Sequence, residues 1–261
     1  MRHRAELAAT VSSRAEIESF FQETAKDILI SLARNPHLEE RDLLRLLQRK
    51  DLAPEVVVEL SRHRVARSSH AIQIALLTHP KTPRQVSLPL MKFLYIFDLL
   101  RVAQTPAVPT DIKMVAEETI LKKMAGMPLG EKIALARRGT GRLASKLLMS
   151  SELELIQAAL NNPYLTEGQL QKVLAAESLP PAVVEQICQH PRWMHRYHLR
   201  LALIRNPHTP FARVLAFIPD IALADLRDIC QDHRMLPHVR DYIEAQCAAR
   251  LNRRRPLPAR D

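Results

Sequence analysis

The chain matches itself when residue 35 is laid over residue 162. Residues 35–83 then align with residues 162–210 without a gap, and one single-residue deletion extends the match to residues 108–124 and 236–251. Most identical pairs are apolar residues or prolines, which shape a core and the ends of helices. They include Asn35/Asn162, Pro36/Pro163, Leu43/Leu170, Leu47/Leu174, Pro54/Pro181, Val56/Val183, His63/His190, Pro80/Pro207 and Pro83/Pro210. The match predicts two copies of one folding unit, residues 1–126 and 127–251.

Apolar spacing and prolines predict short helices within each copy. The segments APEVVVEL and PPAVVEQI begin with proline near the first helical position, where its missing N–H costs nothing. The apolar runs AIQIALL and LRLALI stop before His-Pro and Asn-Pro, because a residue that precedes proline is disfavoured in the α conformation. Thr82-Pro83 and Thr209-Pro210 predict an N-cap followed by a first-turn proline. We expect about six short helices in each copy, stacked in pairs as an α-solenoid.

Composition supports an all-α fold and indicates the cell compartment in which we expect the protein. Glycine is scarce, with 5 residues among 261, whereas β-hairpin turns depend on glycine. No segment is apolar enough to predict a membrane span or a secretion signal. The three cysteines have no CxxC spacing, which predicts reduced thiols and a cytoplasmic protein. The basic segment 252–261 has two prolines and no apolar period, so we expect a disordered tail.

The charge pattern is the main functional signal. The chain carries a net charge of +10, and Asp and Glu are absent from residues 60–97, 132–151 and 186–219. If equivalent helices line one face, these windows form a basic strip that suits an anionic partner. The alternative is that apolar helices leave little room for acids and the arginines are merely solvated. The candidate binding residues are Arg62, Arg64, Arg67, Arg137, Arg138, Arg142, Arg192, Arg196, Arg200 and Trp193.

The third of these windows holds the densest group. Arg192, Arg196 and Arg200 recur every four residues, so they share one helical face if the helix begins by Arg192. Trp193 beside them predicts either a base-stacking residue or a packing residue at a helix entrance. Asp220, Asp225, Asp228 and Asp232 bracket the following helix, where we expect a solvated acidic face.

Two further groups contain residue types that are common in ligand sites. Cys188, His190, His195 and His198 are zinc-ligand types, but their spacing matches no zinc motif, and a turn role suits His190 better. The segment ARRGTGRLASKLL (136–148) places glycines before a helix start, where backbone N–H groups hold phosphates, yet it lacks a nucleotide-loop pattern. A plain helix–turn–helix corner is the alternative. No catalytic motif is recognisable, and no metal or cofactor is predicted.

The turns NPHTP and HPKTP between short Leu- and Ala-rich helices resemble those of HEAT-like repeats, especially the bacterial variant leucine-rich repeats. The resemblance covers roughly residues 25–250 and implies an α-solenoid. Some proteins of that type carry an N-terminal cysteine cluster for an iron–sulfur centre. This chain has no cysteine before Cys188, so the resemblance implies no such cofactor.

Three functions follow as hypotheses. The first is a non-enzymatic scaffold whose basic solenoid surface binds a protein partner, with an acidic partner favoured by the charge. The second is a DNA- or RNA-binding protein that uses the basic strip on phosphates. The third is a HEAT-like enzyme that excises alkylated DNA bases, although no residue here can be matched to that branch. The oligomeric state is not predicted.

Overall fold

The protein is described by a computed structural model that covers residues 2–232 and 235–254, with the side chains of residues 252–254 outside the description. It is all-α, and the covered residues contain no strand. The chain divides into two compact units, Met1–Gly126 and Met127–Asp261.

The first unit consists of short helices joined by tight turns. In chain order they are α1 (Arg2–Thr10), α2 (Arg14–Ser19), α3 (Lys26–Ala33), α4 (Glu40–Gln48), α5 (Pro54–Arg62), α6 (Arg64–Ser68), α7 (His70–Thr78), α8 (Arg84–Met91), α9 (Ile96–Gln104) and α10 (Thr110–Lys123). Alternate helices pack on one another, so that α3 lies between α1 and α5, while α7 contacts both α4 and α9. The core between them is built from Leu, Ile and Val side chains that are almost fully buried.

The second unit also consists of short helices joined by tight turns. Its helices are α11 (Leu129–Arg138), α12 (Gly141–Leu147), α13 (Leu153–Leu160), α14 (Glu167–Leu174), α15 (Pro181–Gln189), α16 (Tyr197–Arg205), α17 (Phe211–Phe217), α18 (Leu223–Cys230) and α19 (Pro237–Arg254). Each of them begins at the position equivalent to the start of a helix in the first unit, as Leu153 corresponds to Lys26. Again α13 contacts α11 and α15, and α16 contacts α14 and α18.

Prolines mark the helix boundaries largely as expected. Pro54 and Pro181 open α5 and α15, and the four prolines of the repeated turns come two or three residues after a helix ends. Pro89 differs, because it lies inside α8. The units contain ten and nine α-helices within their described parts rather than about six, since α1–α3 and α11–α13 precede the aligned segments and α6 is a single turn.

The predicted capping role of Thr82 and Thr209 is wrong. Their hydroxyls donate backwards, to the carbonyls of Leu76 and Leu203 in the preceding helix. The N-cap residues of α8 and α17 are the prolines that follow. The chain turns so tightly after α7 and α16 that each hydroxyl reaches a carbonyl in the last turn of the helix behind it, which also accepts the backbone N–H of the C-cap residue.

The C-terminal segment and the cysteines complete the description. The predicted tail of residues 252–261 begins inside α19, and residues 255–261 lie outside the described residues. All three cysteines are free thiols; Cys188 and Cys247 are buried, and burial raises the pKa of Cys188 to about 11. In the part of the chain that the model covers, no helix is both long and apolar enough to span a membrane.

Candidate protein interface

In both units, basic side chains donate hydrogen bonds to backbone carbonyls near the ends of helices. The last carbonyls of a helix lack partners within that helix. Lys123 Nζ donates to two carbonyls of the loop before α9, at 3.2 and 2.6 Å. At the equivalent place in the second unit, Arg250 donates to two carbonyls of the turn before α18, at 2.7 and 2.6 Å. Part of the positive charge therefore holds helices together rather than facing a ligand.

The arginines of residues 186–219 are used in the same way. Arg192 donates to two backbone carbonyls of the turn after α13, at 3.0 and 3.1 Å, and its guanidinium lies 4.1 Å from the centre of the Trp193 ring. The helix begins only at Tyr197, so Arg192, Arg196 and Arg200 do not share one helical face. The side chain of Arg196 is exposed and has no hydrogen bond or ion pair with the described residues.

Trp193 is a packing residue. Its side chain is 2% exposed, and the indole Nε1 donates to the Leu160 carbonyl at 2.9 Å. The ring therefore has no face to offer a nucleic-acid base. The packing alternative for this residue holds, and base stacking at this position does not.

The acidic residues around α18 are not simply solvated. Three of the four accept hydrogen bonds from α16, while Asp220 and Asp228 stay 61% and 67% exposed, so the acidic face is solvated as expected and is also paired. The contacts are Arg200–Asp220 at 2.6 Å, Tyr197–Asp225 and Arg205–Asp228. Residues 186–219 contain no Asp or Glu, yet two of their arginines are paired in space with acids that follow this window.

The strip residues of the first unit differ in their surroundings. Arg62 lies 3.4 Å from the Glu59 carboxylate, and Arg64 donates to the Pro36 carbonyl at 2.9 Å. The side chain of Arg67 is exposed, without a hydrogen bond or ion pair to any described residue. Of these three predicted binding residues, only Arg67 keeps its side chain fully unengaged.

The glycine turn of residues 136–148 is a packed corner. Arg137 and Arg138 end α11 and are exposed, whereas Arg142 is partly buried in the first turn of α12. A Cβ built on Gly141 would lie 2.2 Å from the Tyr164 carbonyl oxygen. Close packing thus accounts for the glycine, as the corner alternative predicts.

The group of zinc-ligand types is dispersed. Cys188 is buried, while His195 and His198 are exposed. His190 Nδ1 accepts the backbone N–H two residues on, at 3.2 Å, and His63 makes the same contact in the first unit. Within residues 2–232 and 235–254, no three His, Cys, Asp or Glu side chains are grouped so that they could hold a metal ion.

An exposed group of aromatic residues extends from the loop between α8 and α9 into the first turn of α9. The aromatic patch consists of Phe93, Tyr95 and Phe97, which are 75%, 74% and 47% exposed. Leu94 between them is 1% exposed. Because Leu94 anchors the loop inward, the aromatic side chains on either side of it face outward. Three exposed aromatic residues in five positions are unusual in a chain with 4% aromatic residues.

Contacts from two other helices hold the aromatic patch in place. The ring of His70 lies 5.4 Å from that of Tyr95, and His70 Nε2 is 2.9 Å from an Asp98 carboxylate oxygen. The hydrogen bonds of Lys123 fix the same loop from the other side. The exposed rings are thus presented by a constrained loop, which lowers the entropy lost when a partner orders them.

The second unit shows what the turn itself requires. Its equivalent positions keep the inward side chains apolar and buried, as Met91/Ile218 and Leu94/Ile221. The outward positions differ completely: Phe93, Tyr95 and Phe97 correspond to Asp220, Ala222 and Ala224. Since the same turn forms without them, the aromatic residues are not needed for folding. Exposed apolar side chains of this kind are candidates for a surface contact.

Comparisons with known proteins add no assignment. No protein-family model matches the chain, and no curated protein or solved structure has significant similarity to it.

Proposed function

We propose that the chain is a non-enzymatic binding scaffold that engages a protein partner through the aromatic patch of its first unit. The observation that carries the proposal is the set of exposed rings at Phe93, Tyr95 and Phe97 on a constrained loop. Exposed apolar groups of this kind, edged by polar residues, are typical of protein–protein contacts. Aromatic side chains are also enriched at the centres of such interfaces.

The architecture we propose is a solenoid of HEAT-like repeats from a duplicated unit. Helices that begin at equivalent positions in the two units support it. So do repeated polar contacts: Asn35 and Asn162 are both fully buried, and each donates from Nδ2 to two carbonyls of an earlier helix–turn segment. Stacked repeats offer an extended surface, which suits a binding role.

Protein is favoured over nucleic acid because much of the proposed basic strip is already engaged. Arg64 and Arg192 donate to backbone carbonyls, and Arg200 pairs with Asp220. An arginine whose N–H groups already bind a carbonyl or a carboxylate has fewer donors left for a phosphate. The aromatic patch, by contrast, is free on its outer side.

The size of the patch fits the centre of a larger interface. Covering the three rings would remove about 350 Å² of apolar surface from water. At roughly 25 cal/mol per Å², that burial stabilises a complex by about 9 kcal/mol. Association costs about 4–15 kcal/mol, so the patch alone does not support tight binding. We therefore expect surrounding contacts as well.

The test replaces the patch with the residues of the second unit. The variant Phe93→Asp/Tyr95→Ala/Phe97→Ala and the wild-type chain are compared as baits in a lysate of the cells that express the protein, with quantitative mass spectrometry. The control variant Tyr164→Ala removes an isolated ring that is 60% exposed in the second unit.

We expect a discrete protein to be captured by the wild type and by the control and lost with the triple variant. Identical captured proteins for all three baits would contradict the proposal. So would capture that disappears after nuclease treatment.

A further inference from the structure

The surroundings of the aromatic patch contain two cations without partners. Lys92 directly precedes Phe93, and Arg101 lies one helical turn after Phe97 on α9. Both side chains are exposed, and neither has a hydrogen bond or ion pair with the described residues. Residues four apart on a helix are neighbours on its surface, so Arg101 borders the ring of Phe97. The nearby Asp98 is already bound to His70.

At the equivalent surface, the second unit carries aspartates in place of Phe93 and Arg101, and its own arginines pair with them. Arg101 corresponds to Asp228, which pairs with Arg205 of α16. In the first unit the position of Arg205 is occupied by Thr78, which has no charge to offer. In the second unit this position therefore forms an internal ion pair, whereas in the first unit Arg101 has no partner among the described residues.

A second position shows the same difference. Phe93 corresponds to Asp220, which pairs with Arg200. The counterpart of Arg200 is Gln73, whose amide donates to the backbone carbonyl of Arg67. The first unit thus replaces an internal ion pair by an exposed ring, with Lys92 beside it.

We propose that the partner segment is acidic as well as apolar. Its apolar side chains cover the aromatic patch, and its carboxylates pair with Lys92 and Arg101. This inference rests on the proposed function and specifies the chemistry of the partner. Opposite charges at the edge of an apolar contact select the partner and its orientation and speed the encounter.

A second copy of the chain suits the surface less well. In a symmetric dimer the same patch faces itself, which brings Lys92 and Arg101 of both copies to one contact. Like charges placed together at an interface oppose association. The net charge of +10 adds to that repulsion.

The test uses the full chain and defined peptides in fluorescence anisotropy. The probe is a fluorescein-labelled amphipathic peptide with Leu on one face and Glu along its edges. One matched peptide carries Lys in place of every Glu, another carries Ser in place of every Leu, and labelled oligo(dT) represents nucleic acid.

Two charge variants separate local pairing from general attraction. Lys92→Ser/Arg101→Ser removes the proposed partners of the carboxylates. Arg137→Ser/Lys172→Ser removes two exposed positive charges from the second unit, so both variants have the same net charge. We expect the Leu/Glu peptide to bind roughly tenfold more weakly to the first variant, equivalent to about 1.4 kcal/mol, and unchanged to the second. Added salt should reduce this difference.

The outcomes separate the inference from the proposed function. Equal binding by the Lys peptide, equal loss in both charge variants, or no binding of the Leu/Glu peptide overturns the acidic partner. If the aromatic triple variant still loses its captured protein in those cases, the proposed function stands. Patch-dependent binding of oligo(dT) but not of the Leu/Glu peptide overturns the inference in favour of nucleic acid. Concentration-dependent dimers in sedimentation that the triple variant abolishes overturn it in favour of a second copy.

Discussion

At the scale of single residues, buried amides secure the turns between helices. Asn162 donates to the carbonyls of Ala136 and Gly139 and accepts the backbone N–H of Tyr164, all at 2.9 Å or less. Such a side chain replaces three water contacts for groups that the fold has buried. Leaving buried polar groups without partners is among the larger single-residue penalties.

We expect Asn162→Ala to lower the free energy of unfolding by about 3 kcal/mol, because two carbonyls and one N–H lose their partner. Urea denaturation followed by circular dichroism measures the change. Asn161→Ala is the matched control, since Asn161 is exposed and donates within its own helix end. Equal effects of the two substitutions would show that the network is not what stabilises the turn.

Arginines in one predicted group have different roles. We expect Arg192→Ala to destabilise the chain by about 1–2 kcal/mol, because it removes two hydrogen bonds to carbonyls and the contact with Trp193. Arg196→Ala should change the stability by less than about 0.5 kcal/mol, as expected for an exposed side chain. Thermal melts of the two variants provide the comparison, and a larger loss for Arg196→Ala would refute these roles.

At the scale of elements, the turn after α7 carries a buried histidine where the equivalent turn after α16 has an asparagine. His79 is 1% exposed; its Nε2 lies 2.8 Å from the Arg49 carbonyl, and its Nδ1 accepts the N–H of Lys81. Burial, with Lys50 and Lys81 nearby, lowers the pKa of His79. The equivalent Asn206 makes corresponding contacts without a titratable group.

A lowered pKa in the folded state means that the unfolded state binds the proton more readily. The stability contributed by neutral His79 is therefore complete above the ordinary histidine pKa of about 6.5 and is lost as the pH falls below it. We expect His79→Asn to reduce the fall in stability between about pH 7 and pH 5. Urea midpoints across that range test this, and an unchanged pH profile would contradict it.

The helices could be predicted from the sequence because their limits are local. Pro54 and Pro181 open helices whatever packs on them, and the apolar spacing of α4 and α14 indicates a buried face. The capping role assigned to Thr82 failed for the opposite reason. Whether a hydroxyl turns forward or back depends on the geometry of the turn, which no spacing rule expresses.

The candidate site could be predicted only in part. Counting acids along the chain suggested a basic strip, but Asp220 and Asp228 return to Arg200 and Arg205 once the helices pack. The aromatic patch was missed, although KFLYIF is an aromatic-rich hexapeptide in a chain with 4% aromatic residues. Leu94 is buried while the rings beside it are exposed, and only the fold distinguishes them.

At the scale of the whole molecule, the two units are compact by themselves. We expect fragments 1–126 and 127–261 to fold separately, because each contains its own buried core. Circular dichroism and thermal melting of each fragment test this expectation. A fragment that is unfolded or melts without cooperativity would contradict it.

The central claim is that a protein partner lies on the aromatic patch. Site-specific photo-cross-linking in cells tests it most directly, with the photoreactive residue p-benzoylphenylalanine introduced in place of Tyr95 or, as a control, in place of the exposed Tyr164 of the second unit. We expect a discrete cross-linked protein at Tyr95 and none at Tyr164. No adduct at Tyr95, the same adduct at both positions, or an adduct that consists of nucleic acid would contradict it.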